Sequence, residues 1–165
     1  MSNKKSNEKN AEAKIVLDAC CASRMMWFDK NDERAIFNDI RKESHTLCDG
    51  RALEINPDTM HSFTDLKFDD ESFNIVAFDP PHLKNVGDEA YMAKKYGKLT
   101  GEWKEMIKLG FSECFRVLKS GGTLVFKWNE DQIKVSEILK LTDIKPLFGH
   151  RSGKASKTHW IVFIK

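Results

Sequence analysis

A short apolar run closed by two prolines, Phe73-Asn74-Ile75-Val76-Ala77-Phe78-Asp79-Pro80-Pro81, limits the folds open to this chain more than any other stretch. Between the turn-forming residues 69–72 and the prolines it reads as a strand buried on both faces, the kind found in parallel sheets covered by helices. Proline cannot donate to a ladder and forces the residue before it into extended backbone. Pro80 and Pro81 therefore end the strand at Asp79 and continue it as a stiff, non-helical arm carrying His82. Ligands of open α/β sheets bind outside the carboxyl ends of the strands, so a carboxylate and an imidazole fixed there suit chemistry. Asp-Pro-Pro is also an ordinary way to end a strand, and the rest of the chain has to decide.

The chain of 165 residues, 41% hydrophobic, suffices for one domain with a sizeable core. Its 27 basic and 25 acidic residues leave a net charge of +2, so any attraction to nucleic acid or membrane must be local. No apolar run approaches a membrane span, and Met1-Ser2-Asn3-Lys4-Lys5 lacks the hydrophobic region of a signal peptide; a cytoplasmic protein without membrane contact is expected. Cys20, Cys21, Cys48 and Cys114 form no paired framework and read as reduced thiols. His45 and Cys48 have no second ligand pair at matching distance, so no metal site is expected.

Residues 1–13 are polar and read as a disordered tail, leaving 14–165 as a single domain without a separate target-recognition domain. A first strand over 14–18 ends in Asp18 and runs into Ala19-Cys20-Cys21-Ala22-Ser23, where Ser23 is placed to cap a short helix reaching Lys30. A second strand over 35–40 ends in an acid, Asp39, at the separation of about 20 residues that dinucleotide folds use for a ribose-binding carboxylate. A loop follows, with turn signals at Cys48-Asp49-Gly50 and Asn56-Pro57-Asp58, then a third strand over 59–64 ending at Asp65. Four strands each closed by aspartate would crowd like charges on one edge unless a ligand with hydroxyls, amines or positive charge sits among them.

Residues 84–100 interleave lysines with Tyr91 and Tyr96, as an outer helix or a lid. Residues 102–118 carry apolar side chains at helical spacing, and Gly121-Gly122 is placed to stop that helix. A strand over 123–128 follows, then a helix capped by Asn129 with Gln132 in a capping box. A short strand over 147–149, a basic loop and a strand over 159–164 form an antiparallel hairpin at the sheet edge.

This order of elements, with Arg116-Val117-Leu118-Lys119-Ser120-Gly121-Gly122 after the Asp-Pro-Pro segment, resembles the class I S-adenosylmethionine-dependent methyltransferases over nearly all of 14–165. Asp79-Pro80-Pro81-His82 looks like the Asp-Pro-Pro-Tyr motif of amino-methyltransferases acting on exocyclic base nitrogens. The resemblance implies a Rossmann-like α/β sandwich whose mostly parallel sheet has seven strands or slightly fewer. It implies S-adenosyl-L-methionine held by Asp18 and the turn Ala19, Cys20, Cys21, Ala22 and Ser23. Asp39, with Ile40 beside it, would accept from the ribose, and Asp65 with Leu66 would meet the adenine. Asp79 and the Pro80 carbonyl would face the amine, Pro81 would stiffen the arm, and His82 would stack on the base. Lys84, Tyr91, Lys95, Tyr96, Arg151 and Lys154 would contact a nucleic-acid substrate, with a protein partner for target choice.

The chain departs from that pattern twice. No glycine lies between Asp18 and Gly50, and His82 stands in place of an aromatic ring, bringing a titratable group near neutral pH. The missing glycines also weigh against a nicotinamide-dependent oxidoreductase, whose pyrophosphate needs close backbone approach. A phosphate loop is absent, since Gly149 to Lys154 falls short of its spacing and Ala155 stands where a hydroxyl must bind magnesium. Methylation of a protein amide or a small molecule is one alternative, and a scaffold that binds the cofactor and activates a partner is another, against which the intact Asp79-Pro80-Pro81 argues.

Overall fold

From β1 (Val16–Asp18) the sheet grows in both directions. The structure, a computed structural model, describes residues 14–87, 90–153 and 155–165; the tail expected over 1–13 lies outside the described residues. On one side β1 pairs in parallel with β2 (Ala35–Phe37). The chain then forms a separate antiparallel pair, β3 (Glu43–Thr46) and β4 (Ala52–Ile55). It returns to the other side of β1 as β5 (Phe73–Phe78), also parallel. After helices α1 (Tyr91–Tyr96) and α2 (Trp103–Val117), β6 (Leu118–Asn129) adds a further parallel strand. A short helix α3 (Val135–Ile138) with a 3-10 turn at Leu139–Leu141 leads to β7 (Phe148–Arg151) and β8 (Thr158–Ile164). The six-stranded order is β2-β1-β5-β6-β8-β7, with β8 antiparallel to both neighbours. This is the mixed, mostly parallel α/β sheet with an antiparallel C-terminal pair expected from the chain. Strand order reverses between β1 and β5, which opens a crevice at their carboxyl ends.

The apolar stripe of α2 explains where the core lies. Ile107, Phe111, Cys114 and Val117 recur at helical spacing and are almost fully buried. They pack on the alternate residues Leu124, Phe126 and Trp128 of β6, and the Phe111 ring lies 4.9 Å from Phe126 and 5.6 Å from Phe78. A Cβ on Gly110 would lie 2.6 Å from the Phe78 ring and 2.8 Å from Phe63, so only glycine lets the helix sit this close.

The opposite face is covered less completely than expected. Asn74 and Ile75 of β5 are exposed, and Val125 and Val162 are only half-buried. Among the described residues no helix lies over this part, which corrects the reading of β5 as buried on both faces. Over β1 and β2 the same face is closed by Trp27 and Cys21 packed on Phe37 and Ala35.

Five local expectations are corrected. Ser23 caps no helix: residues 19–34 are turns and bends, with Ala22 and Arg24 at φ of 43° and 55°. The strand expected over 59–64 shrinks to one bridge, Asn38 to Thr59. Residues 43–55, read as loop, form the β3–β4 hairpin around Asp49-Gly50 with Gly50 at φ 80°. Asn129 and Gln132 do not cap α3. Gln132 instead accepts from the amides of Lys84 and Asn85 at 2.7 and 2.9 Å, anchoring the segment after the prolines. Helix α2 stops before the glycines, because fully buried Leu118 already pairs with Phe73 in extended backbone.

Candidate active site at the switch point

The crevice between β1 and β5 holds a cavity of about 240 Å³ whose walls come from three consecutive strand ends. Ala19, Cys20, Cys21, Ala22 and Ser23 form one wall, Asp39 and Ile40 a second, and Asp79, Pro80, Pro81 and His82 a third. Lys95 and Tyr96 of α1 close over it, so these candidates are brought together.

The first wall makes a tight turn without glycine. Left-handed backbone at Ala22 and Arg24 costs about 1–2 kcal/mol each, and surrounding hydrogen bonds offset it. The Ala22 amide donates to Asp39 Oδ2 at 2.9 Å, and the Cys21 amide donates to the Asn38 carbonyl at 2.8 Å. The Arg24 guanidinium donates to the carbonyls of Lys30 and Asn56 and lies 3.8 Å from the centre of the Phe37 ring. Burial pushes the Cys21 thiol up to about 12 and Cys20 well above its usual range, so both line the cavity as neutral thiols.

Asp18 does not line the cavity. Its carboxylate is fully buried, accepting from Trp27 Nε1 at 2.7 Å and from the Cys20 amide at 3.3 Å. It holds the turn from behind, correcting the expectation of direct contact. Asp39 is in position. Its Oδ1 accepts from the Arg41 amide and Nε, while Oδ2 accepts from Ala22 and keeps a lone pair for a hydroxyl.

The adenine-facing pair is also corrected. Asp65 is exposed and paired with Lys67, and Leu66 is 2% exposed in the core, its amide given to Glu113. His61, Ser62 and Phe63 line the cavity in their place. They are held by Asn38, fully buried, whose Nδ2 donates to the Ala19 and His61 carbonyls at 3.1 and 3.0 Å. Its Oδ1 accepts from the Thr59 hydroxyl and His61 amide, each at 2.9 Å. One side chain does the work of a strand. The sequence signal available was a polar residue inside an otherwise apolar strand pattern.

Asp79 sits at the tip of β5, its side chain 24% exposed, and Lys127 Nζ donates to its Oδ2 at 2.5 Å. The register sets this contact: Phe78 pairs with Phe126, so the next residues on both strands are neighbours. Burial raises the Asp79 carboxyl and Lys127 opposes that rise. His82 is 9% exposed, its ring 5.6 Å from Tyr96 and 6.3 Å from Trp128. Burial, with the Lys127 charge, lowers it to about 4, so it is a neutral imidazole at physiological pH rather than a charged one.

Lys84 lies away from the cavity on the Gln132 anchor, and Tyr91 lines a neighbouring groove with Arg51. Arg151 is paired with Glu130 at 2.7 Å and faces a third depression beside β7. None of these three reaches the Asp79 cavity, and Lys154 lies outside the described residues. Among the described residues no group of His, Cys, Asp or Glu is placed to hold a metal ion. No helix there is long and apolar enough to cross a membrane.

Two buried groups give the stability an opposed pH dependence. Burial lifts Asp18 from 3.8 to about 7, so the folded chain keeps its proton longer than the unfolded chain. Stability from Asp18 therefore falls as pH rises through that window. His82 drops from 6.5 to about 4, so the unfolded chain binds its proton first and stability falls as pH decreases through that window. Where the windows overlap these two slopes oppose each other. Thermal melts of His82→Phe should lose stability with rising pH, and Asp18→Asn should gain it, each by up to roughly 1.4 kcal/mol per pH unit. Parallel curves for all three proteins would contradict this.

No protein-family model matches the chain, and no curated protein matches it. Among the solved structures that resemble it are the PH0226 protein from Pyrococcus horikoshii OT3 and a TehB-like SAM-dependent methyltransferase from Corynebacterium glutamicum ATCC 13032. Both are 14% identical to it with a TM-score of 0.57. The matches cover 90% and 93% of this chain, respectively, and 80% of each structure. At that identity the likeness establishes a Rossmann-like fold of the methyltransferase type.

Proposed function

We infer that the protein transfers a methyl group from S-adenosyl-L-methionine to nitrogen, with an exocyclic amine of an RNA or DNA base as acceptor. The observation that carries this reading is the Asp79 carboxylate, fixed by two prolines at the end of a central strand and facing the switch-point cavity.

The residues present fit the cofactor. Asp39 Oδ2 has a lone pair for a ribose hydroxyl, and Ile40, 64% exposed, offers an apolar surface beside it. Asp39 and Asp79 favour a cation in the cavity they share. When bound, the cofactor supplies an electrophilic methyl on a sulfonium. The amine is a poor nucleophile because its lone pair is delocalised into the ring. Asp79 and the Pro80 carbonyl accept its two N–H bonds, turning the nitrogen toward tetrahedral geometry and exposing the lone pair. The carboxylate also stabilises positive charge developing on that nitrogen, and the methylated amine is acidic enough to need no strong base. Neutral His82 offers a ring against which a base can stack, while Lys95 and Lys98 on the same cavity favour phosphates. A base within a duplex must first leave the stack. Loops or a protein partner choose the target, in a cytoplasmic setting.

Incubation with methyl-labelled cofactor and separate DNA, RNA and protein pools should label nucleic acid; label in protein alone would overturn the base assignment. Asp39→Ala should weaken cofactor binding by calorimetry at least tenfold, since it removes the hydroxyl acceptor and frees the Ala22 amide. An unchanged affinity would place the ribose elsewhere.

A further inference from the structure

Lys127 has no role in the mechanism above beyond opposing the effect of burial on Asp79, yet it lines the cavity with its side chain 24% exposed. An ammonium has three donors. One goes to Asp79 Oδ2, and the head group lies 5.6 Å from the Trp160 ring, on the neighbouring strand of the same sheet face. Of the other cations on the cavity wall, Arg41 is committed to Asp39 and to the Lys94 carbonyl at 3.0 Å, whereas Lys127 is the cation hydrogen-bonded to Asp79. Asp79 and Lys127 thus stand side by side on adjacent strands as an acceptor next to a donor, both open to one cavity.

We propose that Lys127 is a specificity-determining residue, donating a hydrogen bond to the ring nitrogen next to the amine that Asp79 holds. This rests on the base-amine reading above. The pair then fits an amidine-like edge, in which an amino donor and a ring acceptor are attached to one carbon, as in adenine and cytosine. Lys127 repels positive charge developing on the amine nitrogen, so its contribution is to binding and orientation, and its loss falls on KM more than on kcat.

The test uses single-stranded oligonucleotides carrying adenine or cytosine, and matched ones carrying 1-deazaadenine or 3-deazacytosine, in which CH replaces the ring nitrogen bonded to the carbon that bears the amine. Assays are repeated over a range of pH, so that any loss of Asp79 ionisation on removing Lys127 is separated from recognition. Wild type should show a KM about 10- to 100-fold higher for one deaza analogue than for its parent. Lys127→Met should raise the parent's KM to that level and treat parent and analogue alike, while Lys127→Arg should restore part of the discrimination. Equal KM values in wild type, or discrimination surviving in Lys127→Met, would overturn the proposal while leaving the base-amine reading intact. Transfer to none of the oligonucleotides would overturn that reading and the proposal together. Equal loss of kcat on parent and analogue in Lys127→Met would assign Lys127 only to the ionisation of Asp79 and would also overturn it.

Discussion

Asp79→Asn is expected to slow methyl transfer by about 100- to 1,000-fold while cofactor affinity stays within a few-fold of wild type. The asparagine keeps the shape of the side chain and one acceptor oxygen but loses the negative charge that stabilises the developing cation. Its amide also presents donors toward Lys127, which in the wild type donates to Asp79 Oδ2 at 2.5 Å. In the proposed reading the cofactor is held mainly by the other walls, at the 19–23 turn and Asp39, so binding and chemistry should separate in this variant. Labelled-methyl rates and calorimetry on one preparation read both quantities. A rate within tenfold of wild type would remove Asp79 from the chemistry.

Asn38→Ala is expected to cost about 3–5 kcal/mol of stability, more than an ordinary polar substitution. Asn38 is fully buried and all four hydrogen bonds of its side chain go to protein groups: two carbonyls, one amide and one hydroxyl. Alanine leaves the Ala19 and His61 groups without partners and frees the segment that brings His61, Ser62 and Phe63 to the cavity. The midpoint of denaturant unfolding should fall accordingly, with cofactor affinity falling alongside. A loss under about 1 kcal/mol would mean that water replaces the side chain at no cost.

The parts of the fold legible in the chain were those governed by periodicity and by residues that cannot pair. β5 followed from its apolar run and the prolines, α2 from its stripe, and the terminal hairpin from a basic loop between two β-prone segments. What was misread depended on single side chains acting at a distance. The Ser23 helix fails because Asp39, 17 residues from Ala22, accepts that residue's amide and fixes a left-handed turn. The 59–64 strand fails because Asn38 satisfies the segment with its side chain, leaving one bridge. The β3–β4 hairpin had a signal, Asp49-Gly50 beside the alternating Leu53 and Ile55, but β3 is polar and mostly exposed and offered no apolar face.

The site divides along the same line. Strand-end residues Asp39 and Asp79 and the proline arm could be located because a strand end fixes direction. Asp18 fits the same pattern yet turns behind the wall to Trp27, a contact made across a loop whose path local propensity does not set. Lys127 was invisible for a related reason. It reads as one lysine among many until the register of β5 and β6 sets it beside Asp79.

A crystal structure with S-adenosylhomocysteine bound tests the whole construction most directly. The account predicts the ribose against Asp39, the sulfur near the 19–23 turn, and the Asp79 carboxylate facing the space where a methyl would leave. The product seated in the groove beside Tyr91, or in the depression beside β7, would contradict it.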